Sequence, residues 1–222
     1  MPRVARHVFP NIPHHITQRG NRREDVFFCD DDKQLYLEWL TYYCLKHHVT
    51  ILSYCLMDNH IHLVLIPESD DGLQKVLKPL HMRYAQYINK QHGWTGHLWQ
   101  GRFFSSALDE SHTYSAIRYV ERNPVEAGMV EKAEDYVWSS AAHHCGLVES
   151  DALSHRANKM TDVTESEWSA WLAIAENKAI TDMLERNIEK GLPCGTDSFI
   201  GRLEKISKSV LRYRPQGRPV KG

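Results

Sequence analysis

The run Cys55-Leu56-Met57-Asp58-Asn59-His60-Ile61-His62-Leu63-Val64 sets two imidazoles two residues apart in an otherwise apolar stretch. Side chains two apart on a strand point the same way. His60 and His62 therefore share one face, and Ile61 takes the other. Imidazole is the commonest protein ligand for divalent metals, and two on one face supply half a metal site. A second segment, Ser115-Ala116-Ile117-Arg118-Tyr119-Val120-Glu121-Arg122-Asn123-Pro124, can complete it. On a helix, Tyr119 and Asn123 stand four apart and lie on one face. Two imidazoles, an oxygen ligand and a phenol hydroxyl are the parts needed for attack on a phosphodiester. A phenol, with a pKa of about 10, is a poor nucleophile at neutral pH. A metal on the scissile phosphate polarises the P–O bond and stabilises charge on the leaving oxygen.

Other residues compete for these roles. Tyr114 lies on the same helical segment, five residues before Tyr119, and so presents a different face. Glu121 also points away from the Tyr119–Asn123 face. The pairs His14-His15, His47-His48 and His143-His144 are adjacent in sequence. Neighbours on a strand point oppositely, so these are expected as surface histidines. Trp94 is a candidate for stacking on unpaired bases, whereas Trp99, inside an expected strand, suits the core. Arg102 fits either a phosphate contact or an acid pair, and Arg19, Arg22 and Arg23 flank a turn from which phosphates are within reach.

At 222 residues and 42% apolar composition, the chain can build one ordinary domain or one domain with a smaller appendage. No apolar run approaches a membrane span, and the N-terminal MPRVARHVFP lacks the apolar segment of a signal peptide. Five scattered cysteines without a CxxC pair indicate neither a zinc ribbon nor a disulfide framework, so a reducing cytoplasm is expected. The net charge of −1 conceals an uneven distribution. Residues 1–23 carry five arginines, among them Arg3 and Arg6, and no acid, while residues 201–222 carry seven Lys or Arg and one acid. Basic ends on an acidic body suit polyanion contact as well as they suit two solvated tails. Gly217-Arg218-Pro219 is similar to the core of a minor-groove AT-hook, although Gln216 stands where that motif wants arginine.

The elements that must position these groups follow from periodicity and punctuation. Residues 14–19 read as a strand ended by Gly20-Asn21. Asp30 opens a helix with acids at its positive end. Thr50–Met57 and His60–Ile66 form a hairpin about Asp58-Asn59. A long helix follows, with a kink or break expected at Pro79. Leu98–Leu108 is predicted as a strand, and Asp109–Arg122 as a helix stopped by Pro124. The order β-α-β-β-α-β-α matches a ferredoxin-like α+β fold, an antiparallel sheet with packed helices. Composition shifts near residue 150. Domains are therefore placed at 1–148, a helical C-terminal extension at 149–211 and a basic, disordered tail at 212–222. Within the extension, Thr164-x-x-Glu167 is a capping box before Trp168, Trp171 and Leu172. A last short helix is expected near Ser198–Val210.

DNHIHLVL, GHLWQGRFFSS (residues 96–106) and RYVERNPVEAGMV (residues 118–130), in that order, resemble the single-tyrosine HUH transposases. The resemblance is closest to the branch of REP-associated tyrosine transposases and covers about residues 5–145. It implies cleavage and rejoining of single-stranded DNA bearing palindromic hairpins, through a 5′-phosphotyrosine link and a free 3′-OH. It places the nucleophile at Tyr119 and the metal ligands at His60, His62 and Asn123, with Mg²⁺ or Mn²⁺ as the ion. Other branches carry glutamine at the position of Asn123. DNA contacts are assigned to Arg3, Arg6, Arg19, Arg22, Arg23, Arg102 and Arg218. The expected protein is a monomer or homodimer, cytoplasmic and nucleoid-associated, with no membrane partner. Two alternatives stand beside this reading. One is a non-catalytic, domesticated hairpin-DNA-binding protein. The other is a 2H-type phosphoesterase, which needs two H-x-T/S motifs; His15-Ile16-Thr17 supplies one, and His60-Ile61-His62 lacks the hydroxyl.

Overall fold

The computed structural model describes residues 7–148, 152, 164–175 and 177–213. Four strands, β1 (His14–Arg19), β2 (Val49–Met57), β3 (His60–Pro67) and β4 (Phe104–Ala107), form one antiparallel sheet in the order β2-β3-β1-β4. Helices α1 (Asp30–Lys46) and α2 (Gly72–His92) connect them in ferredoxin-like order, and α3 (Glu110–Glu126) follows β4. The C-terminal half adds α4 (Ala141–His144), α5 (Glu165–Ala173), α6 (Lys178–Lys190) and α7 (Asp197–Ser207). The α+β class and the antiparallel sheet expected from the sequence are those of the molecule.

Strand alternation sorts the sheet into two faces. Ile16, Ile61, Leu63 and Leu65 point one way and pack with Tyr36 and Leu40 of α1 and Leu77, Leu80 and Tyr84 of α2. Cys55, Met57 and Val64 point the other way and pack with Ala116, Ile117 and Val120 of α3. The β2–β3 register shifts between Ile51 and Ser53. This bulge turns both Leu52 and Ser53 toward α3: Leu52 joins its core, and the Ser53 hydroxyl donates to Glu121. Gly20 is required where β1 ends, because a Cβ there would collide with the Glu24 carbonyl oxygen.

Three local expectations need correction. Pro79 neither breaks nor ends α2, which runs continuously from Gly72 to His92. The missing proline N–H frees only the carbonyl of exposed Lys75, which water can serve, while Val76, Leu77 and Leu80 anchor both sides of it in the core. Pro124 likewise lies inside α3, within its last turn. The strand expected over Leu98–Leu108 is shortened to Phe104–Ala107. The preceding HLWQGRF segment is an irregular loop, held by an isolated bridge from Trp99 to Gly20 and by Trp99 Nε1 donating to the His81 carbonyl. Trp99 is buried in the core, as expected.

Of the basic first 23 residues, 14–19 form β1, which lies between β3 and β4. At the start of the C-terminal basic segment, Leu203 and Leu211 are buried with Phe9 and Ala107. The tail from Arg214 on, with Arg218 and the AT-hook-like triplet, lies outside the described residues, as do Arg3 and Arg6.

Candidate active site

The antiparallel register pairs Thr17 with His62 and Arg19 with His60. Directly opposed residues share a face, so β1 and β3 together carry His15, Thr17, Arg19, His60 and His62 toward α3. The His60 and His62 ring centroids lie 4.9 Å apart with the rings nearly perpendicular. Tyr119 of α3 meets this face edge-on, 5.4 Å from the His62 ring and 5.6 Å from that of His15.

Two more contacts bear on the protonation of the imidazoles. His60 Nδ1 lies 2.6 Å from Asn59 Oδ1, an acceptor, so this nitrogen carries the proton and Nε2 keeps its lone pair. His62 Nδ1 lies 3.0 Å from His15 Nε2. When the shared proton sits on His62 Nδ1 and is donated to His15, His62 Nε2 is also left as a lone-pair donor. Burial, with Arg19 nearby, brings His60 down to about 4. Burial brings His15 down to about 3, and burial with the neighbouring His60, His15 and Arg19 holds His62 well below the ordinary range. All three rings are neutral at pH 7, the form that coordinates metals.

Asn123 Nδ2 donates back to the Tyr119 carbonyl at 2.8 Å, so Oδ1 is the atom this amide offers to an ion. Among the described residues no group of three or more His, Cys, Asp or Glu forms a metal site. Two imidazoles would need an amide, phosphate or water oxygen to complete a coordination shell, and an amide oxygen such as that of Asn123 is of the right chemistry. The donor set fits one divalent ion.

Tyr119 Oη donates to Glu185 Oε1 of α6 at 3.2 Å. Sequence periodicity could not find Glu185, which lies 66 residues away in the extension. His15 was also missed. Neither His14 nor His15 is a surface residue: both are fully buried, because both faces of this interior strand are covered. His144 is drawn inward as well, its Nδ1 2.6 Å from Glu121 Oε1. Glu121 is fully buried and also accepts from Ser140, Ser53 and Trp168. It thus faces away from His60 and His62, as its helical position predicts, and clamps α3 to β2, α4 and α5. Thr17 of the HxT motif spends its hydroxyl on the Ile61 carbonyl.

Of the candidate DNA-contacting arginines, Arg19 shares the face of His60. Arg22 and Arg23 are exposed in the turn after β1, with left-handed φ of 56° and 65°. Arg102 is exposed on the loop before β4, where it lines a cavity of about 920 Å³ with Lys78 and His97. Trp94 is exposed and stacks on His92 at 4.4 Å, with Phe28 beside it at 5.5 Å.

Residues 8–123 match the model of a family described as "Transposase IS200 like". A curated Haemophilus influenzae relative, described as a REP-associated tyrosine transposase, is 26% identical over 108 residues, 44% of this chain and 61% of the relative. The chain thus spans about three fifths of that relative's length. A solved structure of a REP-associated tyrosine transposase bound to a REP hairpin superimposes with a TM-score of 0.57 at 19% identity, over 71% of this chain and 96% of that one. At that identity the likeness speaks for the fold.

Proposed function

The chain belongs to the IS200-like transposase family, and from that premise we propose that it cleaves and rejoins hairpin-bearing single-stranded DNA through a 5′-phosphotyrosine on Tyr119. The observation that carries this reading is the convergence of Tyr119 with the His60–His62 face, 5.4 Å from His62. His60 and His62, with the Asn123 amide oxygen, are the residues that would hold a divalent ion, Mg²⁺ or Mn²⁺. When bound, such an ion supplies Lewis-acid polarisation of the scissile phosphate.

The chain's own residues do the rest. Tyr119 Oη forms the new bond to phosphorus as the bond from phosphorus to the 3′-oxygen breaks. Glu185, already accepting from that hydroxyl, is placed to receive its proton, and the departing 3′-oxygen takes a proton from solvent. The phosphotyrosine conserves the phosphodiester, so attack by a 3′-OH rejoins a strand without ATP. Arg19, Arg22, Arg23 and Arg102 offer positive charge to the backbone on either side, and Trp94 offers a ring to an unpaired base. The REP hairpin held by the solved relative makes a palindromic hairpin the substrate to try first. Assembly as monomer or homodimer and location at the nucleoid belong to the same reading.

The test is a denaturation-resistant protein–DNA adduct on a hairpin oligonucleotide with Mg²⁺ or Mn²⁺. Tyr119→Phe should lose the adduct and keep hairpin binding, while Tyr114→Phe should keep both. An adduct that persists in Tyr119→Phe, or wild-type cleavage without any adduct, would overturn the assignment. The second of these outcomes would favour metal-activated water.

A further inference from the structure

Beside Tyr119, on the side of α3 that meets the C-terminal helices, lies a cavity of about 160 Å³. Its walls include Ser115, Arg118 and Tyr119 from α3, Trp171 from α5, and Asn177 and Thr181 at the start of α6. The walls are held in place by the docking of the extension. Arg118 donates to the carbonyls of Trp171 and Ile174, its guanidinium 5.6 Å from the Trp171 ring centre. Arg122, one turn on, donates to the carbonyl of Leu172. The C-terminal carbonyls of α5, which have no partner within their own helix, are thereby served by the helix that bears the nucleophile.

Size and chemistry narrow the occupant. Pockets for drug-sized ligands run to about 300–1,000 Å³, so this one suits a single planar heterocycle. Trp171 supplies an aromatic wall. Asn177 Oδ1 is occupied by the Ala179 N–H at 3.0 Å, which leaves its Nδ2 as a donor toward an acceptor edge. Arg118 adds a fixed positive charge at the rim. Tyr119 is common to this cavity and to the histidine face, so a ligand here sits against the residue that would attack phosphorus.

We infer that this cavity receives the unpaired base of a nucleotide flanking the scissile phosphate, giving the C-terminal helices a part in choosing where the strand is cut. The choice of occupant rests on the proposed function. Stacking an unpaired base on an aromatic side chain contributes about 1–3 kcal/mol, equivalent to roughly 5- to 150-fold.

The experiment walks 2-aminopurine, one position at a time, through the single-stranded flank of a hairpin oligonucleotide. It reads fluorescence quenching on binding to the full chain without added metal. One position should be quenched by the wild type and released by Thr181→Trp, which fills the cavity from α6, and by Ser115→Phe, which fills it from α3. Saturated hairpin binding in a gel shift shows that both variants are folded. An abasic residue at that position should lower adduct yield about 5- to 150-fold in the wild type and have little further effect in Thr181→Trp. If no position separates the wild type from both filled variants, the inference is overturned. The fluorescence needs no cleavage, so the two readings fail separately. Variant-sensitive quenching without any adduct sinks the Tyr119 chemistry and keeps the cavity. Adduct formation without such a position does the reverse.

Discussion

His62 can offer Nε2 to an ion only while its proton sits on Nδ1, and Nδ1 lies 3.0 Å from His15 Nε2. If that proton is donated to His15, His15 would act through His62 by holding its tautomer and ring plane. Partners of this kind typically tune metal affinity by about 10- to 100-fold. His15→Leu fills the buried space but cannot accept the proton, so it should weaken Mn²⁺ binding in calorimetry by about that factor. His15→Gln restores an acceptor and should recover most of the affinity. Equal losses in both variants would mean that His15 contributes packing alone. His14 and His15 diverge on the strand, but the second face of β1 is covered by α3, so divergence does not mean exposure.

Among the elements, α3 carries the candidate nucleophile, and its first turn is tied to the end of the chain by Asp109. Asp109 Oδ1 caps α3 by accepting from the His112 N–H at 3.0 Å, and Oδ2 accepts from the Thr196 N–H at 2.8 Å, just before α7. Burial pushes this carboxyl up, but the hydrogen bonds from His112 and Thr196, with the charge of His112, outweigh that and hold it below its ordinary value. The folded pKa is thus lower than the unfolded one, near 3.9. The stabilisation is fully present above the unfolded value and is lost as pH falls through the folded one. Asp109→Ala should cost about 1 kcal/mol or more at pH 7, as an N-cap and as a tether. The gap between variant and wild type should narrow in urea melts as pH falls below the unfolded value of about 3.9. A gap that stays constant with pH would assign the effect to shape and neutral hydrogen bonds. Helix α2 also shows that a proline need not end a helix that core contacts hold on both sides of it.

For the molecule as a whole, the buried apolar residues described in the extension expected at 149–211 join the cores of the sheet domain. Trp168, Leu172, Leu184 and Cys194 are buried with Val64, Ala116 and Val120 of the sheet and α3. Leu203 and Leu211 are buried with Phe9 and Ala107. Cys194 bridges Leu108, its N–H donating to the Ala107 carbonyl at 2.8 Å. A fragment ending at residue 148 would strip these partners from both cores. Each buried leucine contributes about 1.5–3 kcal/mol, and a typical domain holds only about 5–15 kcal/mol in reserve. The fragment should therefore melt well below the full chain, or fail to fold, by circular dichroism. A fragment with an unchanged melting temperature would establish residues 1–148 as an autonomous domain. Among the described residues no helix is long and apolar enough to cross a membrane.

The chain's local patterns determined the strand and helix order, the shared face of His60 and His62, and the shared face of Tyr119 and Asn123. Those depend on periods of two and about 3.6 residues, which are written in the chain itself. The capping box at Thr164 and Glu167 was legible for the same reason, since both partners lie within one helical turn. Whether the two faces would meet was a tertiary matter, decided by the β1–β3 register and by the packing of α3 across it. Only that packing could bring His15 to His62 across 47 residues and Glu185 to Tyr119 across 66, because no local period links residues so far apart. It also decided that β1 is interior, so that a basic and apparently peripheral segment became the middle of the sheet.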